Sequence, residues 1–385
     1  MLTIIKGGYL FSPDDSGPKD LLIANGKIER IDREISIPEG VFPQVEVVKA
    51  PGKFIFPGFI DPHVHIIGGG GSGGPRSRVK EVFSRDIVMS GITTLVGTVG
   101  TDTISKLLPT LLVKVKALNL SGLNAFMYAG SVLFPPVTLT GSVEKDISYI
   151  AEIIGVKTGL GEPVYPRPDL LALENLLTES RRAAALSGKC GVVHVHLSAT
   201  AAEWIGVIES ILQQRGLSRQ QVVFTHVNHS PALLERAFAY ARRGGWIDLT
   251  SCIRPPERPQ AVKPSSALKR YLDAGGPLEQ VTFSSDGNAS RVLADGKIDY
   301  TRIGTLIEEF RDCVQKEGIP IPQALAVVTR NAARLLGMAN ERGSLQDGFW
   351  ADLALFTKDL ELTDLMAGGR WLLRDGVMAQ LDPFE

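Results

Sequence analysis

The strongest constraint on the fold is a repeated alternation of short apolar runs with longer amphipathic segments through the middle of the chain. Eight runs fit buried strands, and they span residues 55–64, 93–97, 124–129, 153–157, 191–196, 221–226, 246–250 and 280–285. Segments between them, such as 170–187 and 200–214, place apolar residues at helical spacing. Strands that alternate with helices form parallel sheets, and a count of eight favours a closed barrel over an open sheet. The sequence therefore predicts an α/β fold built on a TIM-like (β/α)8 barrel.

Both ends of the chain show a different pattern, in which short strand-like runs are separated by turn residues. Asn25-Gly26 lies between two such runs, and this dipeptide is typical of hairpin turns because both residues tolerate a positive φ. We predict a small β-sandwich domain formed from both chain termini, residues 1–54 and 341–385, with the barrel inserted between them as residues 55–340.

The composition excludes several classes of protein. Apolar residues make up 44% of the chain and charged residues 22%, and the formal net charge is −1. These values are ordinary for a globular protein and favour neither a nucleic-acid partner nor a membrane partner. The three cysteines, Cys190, Cys252 and Cys313, do not form the even, regularly spaced set of a disulfide framework. Since no signal peptide or membrane span is evident near residue 1, we expect a cytoplasmic protein.

The six histidines fall into three close pairs, His63/His65, His194/His196 and His226/His229. The spacing of His63 and His65 puts both imidazoles on the same face of a strand. Imidazole is a common protein ligand for zinc and similar metals. If the three pairs meet in the folded chain, they form a metal site.

The histidine pairs come at the carboxyl ends of predicted barrel strands, which is where the reactive residues of such barrels stand. His63 and His65 end the first predicted strand, His194 and His196 end the fifth, and His226 ends the sixth. Lys157 ends the fourth strand and Asp286 the eighth. Because these ends lie on one rim, the sequence predicts that the histidines, the lysine and the aspartate converge there.

Several segments resemble a known family. FPGFIDPHVH at 56–65 resembles the first-strand signature of the amidohydrolase superfamily, and the chain as a whole is most similar to its isoaspartyl (β-aspartyl) dipeptidases. The more specific segments are GGGG at 68–71, GSVEKD at 141–146, THVN at 225–228 and SSDGN at 284–288. The similarity runs nearly from end to end and includes ADL at 351–353 in the closing β domain.

The resemblance implies a zinc-dependent hydrolase of C–N bonds, similar to a metallopeptidase, in which a hydroxide between two divalent metal ions attacks an amide carbonyl. His63, His65 and Asp286 would bind one ion, and His196 and His226 the other. Lys157, carboxylated by CO2, would bridge both ions, since a buried ammonium beside two dications is strongly disfavoured. Asp286 would also be the catalytic residue that carries a proton to the departing amine. The family further implies a homo-oligomer that acts on a small dipeptide or amide.

The positions that contact substrate in isoaspartyl dipeptidases match only in part. Gly70, Thr101 and Ser290 match, whereas Ser72, Val132, Val164 and His229 stand where the family has glutamate, tyrosine, arginine and arginine. Arg167 lies three residues after Val164 and is a candidate replacement for its arginine. We keep Ser72, Arg167 and His229 as candidate substrate-binding residues in an altered pocket. We expect weak turnover of β-Asp-Leu as a consequence.

Alternatives stay open at this point. The same metal centre would serve hydrolysis of an N-acyl amino acid or of a cyclic amide such as dihydroorotate or hydantoin. A scaffold that kept the barrel and lost the metals is the alternative without catalysis, and the six retained ligand positions argue against it. The resemblance assigns the ligand of the fifth strand to His196, so His194 would pack inside the barrel or support the site. Glu162, Arg254 and Arg291 are further candidates for charged groups of the pocket.

Overall fold

Eight parallel strands form the central sheet, and each is hydrogen-bonded to the next along the chain. In this computed structural model, which describes residues 2–37, 44–71, 73–162, 167–255, 258–293 and 296–379, the strands are β1 (Phe59–Val64), β2 (Ile92–Gly97), β3 (Asn124–Gly130), β4 (Ile153–Leu160), β5 (Val192–Leu197), β6 (Val222–Thr225), β7 (Trp246–Thr250) and β8 (Val281–Ser284). The sheet nearly closes on itself, because Val64 pairs in parallel with Gly287, just beyond β8. The predicted (β/α)8 barrel is confirmed.

The barrel strands are almost entirely buried. All residues of β1 and of β4 are buried. Parallel strands covered by helices outside and by packed side chains inside are apolar throughout, which explains the continuous apolar runs of the sequence. Inward-pointing polar residues near the carboxyl ends are the exception, and they gather at one site.

Helices surround the barrel. The α-helices are Ser84–Met89, Leu108–Leu120, Val143–Tyr149, Leu170–Ser187, Glu203–Gln214, Pro231–Ala241, Pro264–Asp273, Thr305–Gln315, Ile321–Val328 and Arg330–Leu335. Single 3-10 turns span Pro75–Ser77, Arg219–Gln221, Val227–His229 and Leu278–Gln280. A short antiparallel hairpin, Ser290–Val292 with Ile298–Tyr300, follows β8. Among the described residues, no helix is long and apolar enough to cross a membrane.

A second sheet is built from both ends of the chain. Its nine strands are Leu2–Phe11, Asp15–Ala24, Lys27–Asp32, Val45–Lys49, Phe54–Pro57, Leu353–Phe356, Leu362–Ala367, Arg370–Arg374 and Val377–Met378. Phe54–Pro57 is the link, because it pairs in parallel with Leu2–Phe11 and antiparallel with Leu353–Phe356. The predicted β domain of both termini is confirmed as part of the fold class, while its exact boundaries stay predictions.

Aromatic packing joins this sheet to the barrel. Phe56 and Phe356 of the terminal sheet have ring centroids 5.0 Å apart. Phe59 of β1 lies 5.9 Å from Phe356 and 5.1 Å from Phe310 of the helix that follows the hairpin. All four side chains are fully buried. Since rings at these distances pack closely, the cluster fixes how the terminal sheet sits on the barrel.

Truncation of a side chain at the centre of this cluster tests how much the cluster contributes to stability. We expect Phe356→Ala to lower the free energy of unfolding by about 3–5 kcal/mol, because it removes a buried ring and leaves a cavity. Leu170→Ala, at a side chain that is 60% exposed, is the matched control and should change it by less than about 0.5 kcal/mol. Equilibrium denaturation measures both variants. Equal effects would contradict the role given to the cluster.

Candidate metal centre

The closure of the barrel brings the ends of β1 and β8 together. The Nε2 atoms of His63 and His65 lie 3.4 and 3.2 Å from Oδ1 of Asp286. One potential ligand atom from each of the three residues lies within 4.8 Å of the other two. Two imidazoles and a carboxylate at this spacing form a possible metal site.

Two residues of the centre have left-handed backbones. The φ angle is 50° at Asp286 and 64° at His226. Such a conformation costs a non-glycine residue about 1–3 kcal/mol, and surrounding hydrogen bonds must hold it. The amide of Asp286 donates to the carbonyl of His63 at 3.1 Å, and the hydroxyl of Thr301 donates to the carbonyl of Asp286. This backbone conformation directs both side chains toward the mouth of the barrel.

A second group of side chains adjoins the first. The rings of His196, from β5, and His226, after β6, have centroids 4.7 Å apart, and His226 lies 5.0 Å from His63. Nδ1 of His226 is 2.8 Å from the hydroxyl of Thr250. Oε1 of Glu162 is 3.2 Å from Nε2 of His196, and this hydrogen bond lowers the pKa of Glu162. A second cation would therefore find two imidazoles and one nearby carboxylate.

Lys157 lies between the imidazoles. Its Nζ is 3.1 Å from Nε2 and 3.3 Å from Nδ1 of His63, and the side chain is fully buried. Burial lowers the pKa of Lys157 from 10.5 to about 7. Burial also holds the pKa values of His63 and His226 well below the ordinary value of 6.5. Near pH 7 the imidazoles of His63 and His226 are therefore neutral, and the amine of Lys157 is about half unprotonated.

This chemistry fits divalent metal ions. Neutral imidazole and carboxylate are typical ligands of zinc. Nδ1 of His65 is buried and has no hydrogen-bond partner among the described residues, so packing alone does not account for its ring. The nitrogen atoms of Lys157, His63 and His194 lie within hydrogen-bond distance of one another, and burial leaves few protons to form hydrogen bonds between them. Metal cations would bind the lone pairs that remain. The side chains present thus fit the metal centre that the sequence predicts.

Two buried acids, which were not among the predicted site residues, lie deeper in the barrel. Asp61 precedes His63 on the same face of β1, and burial raises the pKa of its carboxyl to about 7. Asp248 of β7 accepts hydrogen bonds from Thr225 at 2.7 Å and Thr282 at 2.9 Å, and burial raises its pKa to about 6. Aspartate inside an otherwise apolar strand is the signal that could have revealed both.

A cavity of about 340 Å³ opens above the histidines. Four of the predicted substrate-binding residues line it, and they are Gly70, Thr101, His229 and Ser290. Val132 and Glu162 line it as well. Ser72 and Val164 lie outside the described residues. Arg167 is not among the lining residues, and its guanidinium stands 5.0 Å from the centroid of the Trp204 ring instead.

One loop after β7 adds groups to the cavity. Arg258 and Cys252 line it, and the sequence analysis had singled out neither for this role. The base of the loop is fixed, because the Asn228 side-chain amide donates to the carbonyls of Ile253 and Val262 at 2.8 and 3.1 Å. A basic residue within a proline-rich segment after a barrel strand was the available signal for Arg258.

The two other predicted cations have acidic partners. Arg254 forms ion pairs with Glu308 at 2.8 Å and with Glu309 at 3.4 Å. Arg291 lines the cavity and pairs with Asp299 at 2.7 Å. The charge of each guanidinium group is therefore offset by at least one carboxylate of the protein.

His194 lies beneath the centre. It faces the barrel interior next to Lys157, its partner in the β4–β5 register, and does not line the cavity. Its Nε2 is 3.3 Å from Nδ1 of His63. The structure therefore brings five of the six histidines and Lys157 into one connected cluster, with His229 5.6 Å from His226 at its edge.

Comparison with known proteins agrees with this geometry. Residues 54–372 match the model of the amidohydrolase family. The chain belongs to that family. A crystal structure of β-aspartyl dipeptidase from Fervidobacterium islandicum AW-1, in complex with the β-Asp-Leu dipeptide, has a TM-score of 0.90 and 34% sequence identity, with all of both chains covered. The predicted resemblance is confirmed.

More distant relatives in the family have other activities. Dihydroorotase from Aquifex aeolicus is 24% identical over 93% of this chain and 90% of its own length. Adenine deaminase from Moorella thermoacetica is 25% identical over 97% of this chain, which spans only 58% of the deaminase. Family membership therefore supports a hydrolase and leaves the substrate open.

The lowered pKa of Lys157 predicts a pH dependence of stability. Between about 7, its folded-state value, and 10.5, its ordinary value, the unfolded chain binds more protons than the folded chain. The free energy of unfolding of metal-stripped protein should therefore rise with pH, by up to about 1.4 kcal/mol per pH unit from this group. Lys157→Met should lose that part of the slope. Denaturation curves at pH 7, 8 and 9 measure it, and equal slopes in both proteins would contradict the prediction.

Proposed function

We propose that this protein is a binuclear metal-dependent amidohydrolase that cleaves an amide bond of a small substrate, most like a β-aspartyl dipeptidase. The observation that carries the proposal is the convergence of His63, His65 and Asp286 with His196 and His226 around Lys157. These side chains come from five different strand ends, and folding brings them to one rim.

Each ligand has a place in this proposal. His63, His65 and Asp286 would hold one ion, and His196 and His226 the other, with Lys157 between them. When bound, two divalent ions, zinc in our proposal, supply polarisation of the scissile carbonyl and a water molecule of lowered pKa. Localisation and oligomeric state, a cytoplasmic homo-oligomer, stay predictions.

Lys157 would act as a carbamate. Its neutral amine attacks CO2, a C–N bond forms, and one proton leaves, so that the ammonium site becomes an anionic ligand with two oxygen atoms. The reaction needs an unprotonated amine, and burial supplies one because it lowers the pKa of Lys157 to about 7. The added negative charge would also offset the charge of two cations in a buried site.

Asp286 would be the residue that moves the proton. Its Oδ1 faces His63 and His65, and its Oδ2 is 3.9 Å from Sγ of Cys252 at the cavity wall. In this position it can accept a proton from the attacking water and deliver it to the amide nitrogen, a poor leaving group until it is protonated.

The cavity is the basis for the substrate proposal. Its volume of about 340 Å³ suits a small molecule such as a dipeptide. The lining residues Arg258 and Glu162 offer one cation and one anion, as a zwitterionic dipeptide requires. Val132 lines the cavity at the position where the resemblance predicts a tyrosine. A valine cannot donate a hydrogen bond to the scissile carbonyl of the substrate as a phenol would.

Ring opening of a cyclic amide is the second candidate. The dihydroorotase relative, which covers nearly the whole chain, favours it. The same metal centre would serve either substrate, so a substrate panel is required to choose between them.

The role of Asp286 can be tested by one substitution. We expect Asp286→Asn to lower kcat by about 10²–10⁴-fold, because the amide cannot shuttle a proton, while the zinc-loaded variant keeps much of its metal. Asp169→Asn, at an exposed helix N-cap, is the matched control and should behave as wild type. Metal analysis and steady-state kinetics with the best substrate give both readouts. Normal turnover by the Asp286 variant would remove Asp286 from the mechanism.

The altered pocket predicts a weak reaction with the substrate of the structural relative. We expect a kcat/KM for β-Asp-Leu below about 10⁴ M⁻¹s⁻¹, an ordinary value for an enzyme. A panel of dipeptides, N-acyl amino acids and cyclic amides, assayed with zinc-loaded enzyme, would identify better substrates. A higher value for β-Asp-Leu would show that the pocket is not altered in function, and purified protein without bound metal would favour a scaffold.

A further inference from the structure

His194 is the one side chain of the histidine cluster to which the proposed function gives no task. It is fully buried and lies two residues before His196 on β5, which places it deeper in the barrel. A strand rises by about 3.3 Å per residue, so His194 lies roughly 7 Å below His196. It therefore lies under the proposed metal centre and away from substrate.

Its contacts are few and specific. Nε2 of His194 lies 3.3 Å from Nδ1 of His63, and the two rings meet edge to face at 85°. The other nitrogen, Nδ1 of His194, is buried and has no hydrogen-bond partner among the described residues. The ring of Tyr128, whose buried hydroxyl likewise has no partner in the described part of the chain, lies 5.0 Å away.

Stability does not explain a histidine at this position. A buried nitrogen without a partner destabilises the fold, and an apolar side chain of similar volume would avoid that loss. The explanation must lie in what the other nitrogen, Nε2, does for His63.

The protons of His63 determine that role. Its Nε2 faces Oδ1 of Asp286 at 3.4 Å, so this is the nitrogen that would bind metal, and a ligating nitrogen carries no proton. In a neutral imidazole the proton then resides on Nδ1, which requires an acceptor. Lys157 Nζ is as close to Nδ1 as His194 is, but carboxylation delocalises the lone pair of that nitrogen. Among the described residues in contact with Nδ1 of His63, His194 Nε2 is then the remaining acceptor.

We propose that His194 is a positioning residue, which accepts a hydrogen bond from Nδ1 of His63 and so fixes the tautomer and the ring orientation that bind metal. The inference rests on the proposed metal centre. His226 has comparable support, since its Nδ1 meets the hydroxyl of Thr250 at 2.8 Å. Such hydrogen bonds to metal-binding histidines typically change metal affinity by about 10–100-fold when they are removed.

A matched pair of substitutions tests the hydrogen bond. A glutamine amide reaches the position of Nε2 of a histidine, whereas an asparagine amide reaches only that of Nδ1. For the full-length protein, we expect His194→Asn to weaken zinc affinity by about 10–100-fold and His194→Gln to restore most of it. Both variants should still bind two zinc ions at saturation. Tyr128→Phe, which alters the neighbouring ring only, should bind zinc as the wild type does.

Chelator competition gives the dissociation constants, and circular dichroism confirms folding of each variant. Equal zinc affinity in the Asn and Gln variants would overturn the inference, and so would saturation of either at one zinc ion, which would make His194 a ligand itself. Wild-type protein that binds no zinc would instead refute the proposed function.

A measurement on the wild type does not depend on variants that fold. In spectra of protein with ¹⁵N-labelled histidine, we expect His63 as the Nδ1–H tautomer and an unprotonated Nε2 in His194. The opposite tautomer at His63 would overturn the inference even if zinc binds.

Discussion

The hydrogen bonds that close the barrel between its first and last strands hold the candidate metal centre together. The amide of His65 donates to the carbonyl of Gly287 at 2.9 Å, and the amide of Asp286 donates to the carbonyl of His63 at 3.1 Å. The second bond joins two proposed ligands, and the first joins a proposed ligand to the residue after Asp286. The distance between the imidazoles and the carboxylate is therefore set where the first and last strands meet. Residues more than two hundred positions apart become neighbours in this way.

Burial then controls the chemistry at this seam. The low-dielectric interior disfavours charge, so it lowers the pKa values of Lys157, His63 and His226. It raises the pKa values of Asp61 and Asp248 for the same reason. An interior prepared in this way has lone pairs available to cations and little positive charge to repel them. The same barrel walls that stabilise the fold thus also determine the protonation of the site.

The sequence predicted the barrel and the convergence of the histidines, Lys157 and Asp286 at one rim for one physical reason. The parallel strands of a barrel all end at the same rim, so a polar residue at the carboxyl end of an apolar run lies at that rim. Arg167 shows the limit of this reasoning, because a cation in a loop can stack on an aromatic ring such as Trp204 as readily as it can face a cavity. The contact of His194 with His63 depends on side chains that meet across the barrel, which local patterns do not encode.

The pairing of Phe54–Pro57 with Leu353–Phe356 has a consequence for biosynthesis. The edge of the early strand stays open until about three hundred further residues have left the ribosome, which takes about 15–60 s at ordinary elongation rates. An open apolar edge invites pairing with other nascent chains. Protection of that edge during translation is therefore a requirement that follows from the topology itself.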